Sequence, residues 1–562
     1  MNGWRLKLRF LLGITGIFAL GLAGCKSVKE DINLDMDIVE EKADTDINNI
    51  DTINIDNNEF ENNIKNNIDD KEDDMMMNNG LESKFNNIEY TKSYKSHLNN
   101  NPLITQDFGA DPWALVYKDR VYVYMTHDIL MHNQEGEVVD NTYGNINKLK
   151  VISSSDLVNW TDHGDIHVGG LNGASKWANC SWAPAVAWRE IDGEDKFFIY
   201  FSNSGSGIGV LTADSPIGPF RDEIGKPLID RNTPNVKDVV WIFDPAVLVD
   251  DDGKAYLYFG GGLPEGQYEY PNTARVIELG PDMMSTVGEA NVIEAPYMFE
   301  SSGINKIGDT YFYSYCSNFI SRAGATGEHV PKPGEVITMT SKSPVGPWKY
   351  EGSILKNPGY FFGTGGNNHH CMIEFNGRYF MFYHTSVLQD EMGIKGGYRC
   401  TFINEAYVED GKIKPIIGDK LGVKQLMAFN PYQETEAVTM SNNAGIKTYE
   451  AEASNASSKV YLGDIDNGDW ISVSQVDFGE KGPESLTLSY AASQNNGGAV
   501  RISLDSLDGD AIAYVEITDT KGLDNFVEVT VPVSQVTGIH DIYFTFVGSG
   551  YQLDYWKFNE KY

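Results

Sequence analysis

The chain has 562 residues, too many for one ordinary domain, and carries 80 Asp and Glu against 44 Lys and Arg, a formal charge of −36. So acidic a molecule repels nucleic acid and anionic lipid surfaces, which argues against both as partners and leaves a neutral polymer such as a polysaccharide compatible. The 30 Tyr, 26 Phe and 10 Trp suit β-structure with an aromatic core, and also suit contact with sugar rings.

In chain order, Arg5, Lys7 and Arg9 precede an apolar run over residues 10–22 that is too short for a comfortable membrane span. The run ends in Leu22-Ala23-Gly24-Cys25, which resembles the lipobox of bacterial lipoproteins. That resemblance implies a signal peptide over residues 1–25, a lipidated Cys25, and a cell-surface protein that meets the membrane only through its lipid anchor. An ordinary secretory signal with an incidental cysteine is the alternative. Residues 26–95 are rich in Asn and Asp without strand or helix rhythm, and are expected to form a disordered, self-repelling tether.

Five aromatic-rich segments follow, over 114–126, 196–203, 246–260, 310–317 and 372–384, several broken by turn signals such as Asp252-Gly253 and Asn376-Gly377. Three connecting stretches echo one another: Ser155 to Trp160, Ser215-Pro216-Ile217-Gly218-Pro219-Phe220 and Ser343-Pro344-Val345-Gly346-Pro347-Trp348. Repeated β-units without helical patterning between them predict an all-β chain with a five-bladed β-propeller over residues 96–429. A connector is expected over 430–447. From 448 to 562, short strands separated by Gly, Asn and Asp predict a β-sandwich of jelly-roll type. Cys180, Cys316, Cys371 and Cys400 lack metal-type spacing; disulfides are possible, but buried small apolar residues are the commoner reading.

Three acidic residues stand beside apolar strands, where a carboxylate is unexpected. Asp111 lies in Gly109-Ala110-Asp111-Pro112, and Asp244 repeats the arrangement in Phe243-Asp244-Pro245-Ala246-Val247. Glu300 follows Tyr297-Met298-Phe299. Asp-Pro alone is a common turn opener, but three carboxylates entering three blades would meet at one end of a propeller's axis. Facing carboxyls are what glycoside hydrolysis requires, one to donate a proton and one to activate water or attack.

With Ser181-Trp182-Ala183-Pro184 and Lys306 added, these motifs resemble glycoside hydrolase family 43, in its arabinoxylan arabinofuranohydrolase and β-xylosidase branch, over roughly residues 101–428. The resemblance implies an inverting hydrolase with Asp111 as general base, Glu300 as general acid and Asp244 orienting Glu300 and raising its pKa. Glu294, in Glu294-Ala295-Pro296, is the alternative acid. It further implies a sugar contact for Trp182 and Arg399, a pocket position for His127, and for His369 a place near a calcium ion on the axis. A buried aromatic, a salt-bridged arginine and structural histidines are the competing readings.

Tyr449-Glu450-Ala451-Glu452, Asp466-Asn467-Gly468-Asp469-Trp470 and Leu553-Asp554-Tyr555 resemble a family 6 carbohydrate-binding module. Glu450 and Glu452 share a strand face, which implies a structural calcium held with Asp554. Where such modules clasp sugar between two aromatics, this chain has Asp464 and Leu523, with Gln552 in place of an Asn. The expected activity is an α-L-arabinofuranosidase that trims arabinoxylan. The alternatives are a β-xylosidase on xylo-oligosaccharides or a non-catalytic surface glycan-binding lipoprotein. No obligate protein partner is inferred.

Overall fold

The computed structural model describes residues 80–451, 456–493 and 498–561, so Cys25, most of the tether and Glu452 lie outside the described residues. The fold is almost entirely antiparallel strand, and each of the five aromatic segments falls in a different small sheet. The first sheet runs Ala110–Tyr117, Arg120–Thr126, Lys148–Ser154 and Trp160–His167. The second holds Trp182–Ile191, Glu194–Ser202 and Ile208–Ala213, and the third Ala246–Val249, Ala255–Phe259, Ala274–Leu279 and Thr286–Ile293. The fourth runs Met298–Ile307, Thr310–Ser317, Val336–Ser341 and Lys349–Leu355, and the fifth His370–Phe375, Arg378–Thr385 and Cys400–Ala406. The initial strand of each sheet packs on that of the next, and the fifth sheet's packs on the first's.

These sheets are covered on both faces, so their middle strands are apolar without alternation: Phe197, Phe198, Ile199, Tyr200 and Phe201 are all buried. The repeated Ser-Pro-x-Gly-Pro stretches have a packing role. Tyr124 of the first sheet donates its hydroxyl to the Pro216 carbonyl just after the last strand of the second, and Tyr258 of the third donates to the Pro344 carbonyl between the last two strands of the fourth. A buried tyrosine hydroxyl needs such an acceptor, and it pins one sheet to its neighbour.

The initial strands kink where they open. Asp111, Ala183, Asp244 and Ser301 take left-handed φ of 48°, 44°, 51° and 62°. The ladder slips beside Asp111, Ala183 and Ser301. The first three kinks precede a proline, which cannot donate to a ladder and so favours a break there. Each kink turns an N–H toward a neighbouring sheet. Ala183 donates to Thr126 Oγ1 at 2.8 Å, Asp244 to Ser202 Oγ at 2.9 Å and Ser301 to Asp244 Oδ2 at 2.8 Å. His370 donates to Ser301 Oγ at 3.2 Å, and Asp111 to His384 Nδ1 at 3.1 Å. Five side chain to backbone bonds thus run from sheet to sheet around the carboxylates.

The C-terminal sandwich has its own core, centred on Trp556, Phe544, Phe546 and Leu488. One sheet runs Lys447–Glu450, Val460–Gly463, Tyr551–Glu560, Pro483–Ala492 and Gly522–Pro532. The other runs Asn442–Ala444, Trp470–Asp477, Ile539–Val547, Ala499–Leu504 and Ala511–Glu516.

Two expected boundaries differ from the structure. The connector is itself paired: Thr435–Glu436 joins the sandwich strand at Trp556, and Thr439–Met440 joins the first sheet at Thr161 and Trp160. The last part of the expected tether is ordered. Leu81 and Phe85, one helical turn apart, and Ile88 just beyond the helical stretch pack on Ala499, Tyr514 and Val547 of the sandwich. The strap continues through Thr91, whose carbonyl accepts the Trp470 indole N–H at 2.8 Å, to Asn101, whose side-chain amide bonds both backbone polar groups of Ile403 in the fifth sheet. Phe85→Ala is expected to destabilise the sandwich by about 3 kcal/mol, the cost of an emptied phenyl site. Scanning calorimetry checks this, and an unmoved sandwich transition would show that the strap is not held.

Candidate active site

Asp111, Asp244 and Glu300, 5–7% exposed, line one cavity of about 420 Å³ with Tyr143, Trp182, Trp241, Phe243, Phe299, Asn367, His369 and Arg399. The kinks place them there: Asp111 and Asp244 are themselves kink residues, and Glu300 precedes the kink at Ser301. A left-handed φ at a non-glycine residue costs about 1–3 kcal/mol, and such strain gathers where function fixes a side chain.

The three carboxyls are sorted by their surroundings. Burial alone would raise the Asp111 carboxyl, but the Arg399 guanidinium, with Nη1 2.9 Å from Oδ1, outweighs it and holds the group well below the usual carboxylate range. Burial raises Asp244 to about 8, helped by the negative charge of Asp111. Burial also carries Glu300 well above its ordinary value, with the charge of Asp244 as the next cause. Arg399 thus favours the ionised form of Asp111, while burial and mutual repulsion favour a proton on the Asp244 and Glu300 pair.

Arg399 is itself gripped. Its Nε and Nη2 reach the two oxygens of Asp128 at 2.9 Å each, and its backbone N–H donates to Asp128 Oδ2 at 3.0 Å. Such a bidentate pair fixes the guanidinium plane. The arginine lines the cavity as expected, but its first task is to hold Asp111. Asp244 Oδ2 accepts the Ser301 N–H, so it steadies the backbone that carries Glu300, and Glu300 Oε1 accepts the Asn368 N–H at 3.2 Å. His369, which burial lowers to about 4, places Nδ1 3.7 Å from Asp111 and 3.6 Å from Asp244.

Trp182 sits at the wall, its indole N–H on the Tyr143 carbonyl at 2.9 Å. Trp241, which sequence reasoning missed, is partly exposed at the rim and meets Phe243 and Phe299 edge to face, both at 5.3 Å. The signal was an aromatic two residues before Phe243-Asp244. Asp128 and Tyr143 were also missed. Glu294 is exposed and does not line the cavity, which leaves Glu300 as the acid. Lys306 is far along its strand, paired with Asp250 and Asp251.

His127 is a correction. It does not line this cavity but lies between Asp107 and Asp165, at 2.9 and 2.8 Å, beside Lys150 and near the sandwich. Burial would lower it, yet the two carboxylates raise it to about 10, so it is a structural cation.

The calcium donors expected in the sandwich do not converge in the described residues. Glu450 accepts the Asp165 N–H at 3.2 Å, across the junction with the first sheet. Asp554 accepts the N–H groups of Ser457 and Ser458 at 2.8 and 2.9 Å, in a different cavity. Among the described residues no group of three His, Cys, Asp or Glu is placed to hold a metal. Asp464, Leu523 and Gln552 do line a common loop cavity of about 590 Å³, floored by Tyr449 and Tyr461 stacked at 5.7 Å. Cys180, Cys316, Cys371 and Cys400 are free and buried.

A model of glycosyl hydrolases family 43 matches residues 99–413, and one of carbohydrate binding module family 6 matches residues 436–560. An arabinoxylan arabinofuranohydrolase of Bacillus subtilis (strain 168) is 47% identical over 482 residues, covering 82% of this chain and 93% of that protein. One from Paenibacillus polymyxa is 45% identical over 477 residues, covering 82% and 74%. A crystal structure of a glycoside hydrolase family 43 arabinoxylan arabinofuranohydrolase from Bacillus subtilis, in complex with cellotetraose, superposes with a TM-score of 0.81 at 46% identity over 84% of this chain and 99% of its own. The family match spans more than half of the chain and contains the three buried carboxyls: this chain belongs to glycosyl hydrolases family 43, with a family 6 carbohydrate-binding module after it.

Proposed function

We propose that the protein is an inverting α-L-arabinofuranosidase that removes arabinose side chains from arabinoxylan. The observation that carries this is the convergence of three buried carboxyls on one cavity, with Arg399 Nη1 2.9 Å from Asp111 and Asp244 Oδ2 on the Ser301 N–H beside Glu300. In this reading an arabinofuranosyl unit enters between Trp182 and Trp241. Glu300 protonates the glycosidic oxygen as the bond to the anomeric carbon breaks. Asp111 takes a proton from the water that attacks the opposite face. Inversion asks for about 6.5–9.5 Å between the two carboxyls, room for that water. Asp244 touches neither reacting atom; it fixes the peptide beside Glu300 and keeps the acid protonated.

Arabinoxylan digestion followed by proton NMR tests the reading. The first product expected is arabinose in its β-anomeric form, inverted from the α-linkage. Xylose as the product selects a β-xylosidase, and no free sugar selects a binding protein.

The same proposal takes the five sheets as blades of a closed propeller, supported by the contact of the fifth initial strand with the first and by the strap's bonds to Ile403. It keeps a lipidated, surface-anchored Cys25, supported by the residues before it; loss of membrane association in Cys25→Ala is the expected outcome. It keeps a structural calcium in the sandwich, supported by the family alone, and no catalytic step passes through an ion. EDTA is then expected to lower the sandwich melting temperature by several degrees, with calcium restoring it; an unmoved transition sinks that part.

Asp128 is a positioning residue in this scheme. Asp128→Asn leaves Arg399 a weaker hold and Asp111 less well oriented. A fall in kcat of about 10- to 100-fold with KM little changed is expected, together with an acid limb moved to higher pH as Arg399 loosens. A merely structural role would leave the pH profile of the folded enzyme where it was.

A further inference from the structure

At the junction of the first sheet with the connector lies a second polar cavity, of about 430 Å³, that the catalytic scheme does not use. Arg120 opens into it. Its Nε donates to Ser153 Oγ at 2.7 Å, and its Nη2 to the Ser153 carbonyl at 3.3 Å and to Thr161 Oγ1 at 2.8 Å. Among the described residues, no hydrogen bond is made by Nη1 and no carboxylate stands within 4.0 Å of the guanidinium. A guanidinium has five N–H donors, so both N–H groups of Nη1 are unspent. Across the cavity, Glu436 has no hydrogen-bond partner for its carboxyl among the described residues. Burial raises it to about 7. The charge of Arg120 reaches Glu436, yet among the described residues no hydrogen bond or close ion pair joins these two half-buried groups of one cavity, an arrangement that a bridging ligand would complete.

We propose that this junction cavity binds a neutral pentose oligosaccharide, one hydroxyl of a vicinal diol accepting from Arg120 Nη1 and the other donating to Glu436. A diol carries both a donor and an acceptor at the separation of adjacent hydroxyls, and so satisfies both groups. A free anion fits worse, because the chain's −36 charge repels it and Glu436 adds negative charge locally. Phe429 and Met427 supply an apolar flank, and His163, stacked with Tyr122 at 6.2 Å, another ring. Arg120 begins the strand whose other end, Thr126, abuts the catalytic kinks, six residues or about 20 Å away. The site would therefore hold a stretch of polymer separate from the bond being cut. The choice of sugar rests on the polysaccharide reading above.

The test uses the full chain with arabinoxylan in affinity gel electrophoresis, crystals soaked in xylotetraose, and kinetics on arabinoxylan and on 4-nitrophenyl α-L-arabinofuranoside. Arg120→Met and Glu436→Gln are each expected to reduce gel retardation at least about threefold and raise KM on the polymer by a similar factor. Turnover of the small substrate stays unchanged, and sugar density lies between Arg120 and Glu436 in the parent crystals. Unchanged retardation and KM in Glu436→Gln, which keeps the side chain's shape, together with an empty junction in the soak, overturn the proposal even if Arg120→Met fails to fold. Displacement of bound sugar by glucuronate, with the carboxylate on Arg120, also overturns it in favour of an anion site. If the parent chain cleaves neither substrate but still shows junction density, the hydrolase reading fails and the binding site stands.

Discussion

Glu300→Gln is expected to lower kcat on arabinoxylan by about 10³- to 10⁴-fold, the full contribution of a positioned general acid. Glutamine keeps the shape and the contact with the Asn368 N–H but has no proton to give. The loss depends on the leaving group. A xylose oxygen of the main chain departs poorly without a proton, whereas 4-nitrophenolate departs unaided, so the aryl arabinoside should lose at least about tenfold less. Equal loss on both substrates would mean that Glu300 shapes the cavity and does not donate. The pH profile gives a second check. Burial and the nearby charge of Asp244 raise Glu300, so the parent enzyme keeps its acid form through neutral pH and loses activity as the pH climbs past the coupled Asp244 and Glu300 pair. Glu300→Gln has no such acid to lose, and its alkaline limb is expected to flatten. Asp244→Asn removes a neighbouring negative charge, and moves that limb to lower pH.

The sequence carried much of this site because the kinks are local. Asp-Pro and Ala-Pro at strand openings are readable as breaks in a ladder, and the structure shows those breaks as left-handed residues with turned N–H groups. What escaped was set by direction and by distance along the chain. Thr126, His127 and Asp128 follow one another at a strand end, where successive side chains point to opposite sides. Thr126 caps the Ala183 N–H, His127 turns away to Asp107 and Asp165, and Asp128 turns back to Arg399. Choosing His127 for the pocket was therefore wrong by one residue, and Asp128 was the member of the pair that mattered. Its partner lies 271 positions later, a contact no local pattern announces. The strap was misassigned for a similar reason: three apolar residues in an Asn-rich stretch are too few to signal order until the sandwich surface that receives them is known.

Asp111→Asn is expected to lower kcat by about 10³-fold or more on both polymer and aryl substrate, because water must be deprotonated whatever group departs. That indifference to the leaving group separates the base from the acid. Asp111→Gly sharpens the test. Asp111 sits at φ 48°, a conformation glycine adopts without strain, so the kink is expected to survive the loss of the side chain. The space left is the size of a carboxylate and lies beside Arg399, whose remaining carboxylate partner among the described residues is Asp128. Azide, an anion that needs no base, can enter it and attack the anomeric carbon in place of water. Added azide should therefore restore turnover of the aryl arabinoside in Asp111→Gly and leave a β-arabinosyl azide, while doing nothing for Glu300→Gln on the polymer. Arg399→Met probes the same charge from the other side. The guanidinium is what holds Asp111 down against its burial, so without it the carboxyl rises, and the acid limb moves to higher pH as the base begins to protonate within the working range. Folded Arg399→Met enzyme with an unmoved acid limb, or azide without effect on Asp111→Gly, would remove Asp111 from the role of base.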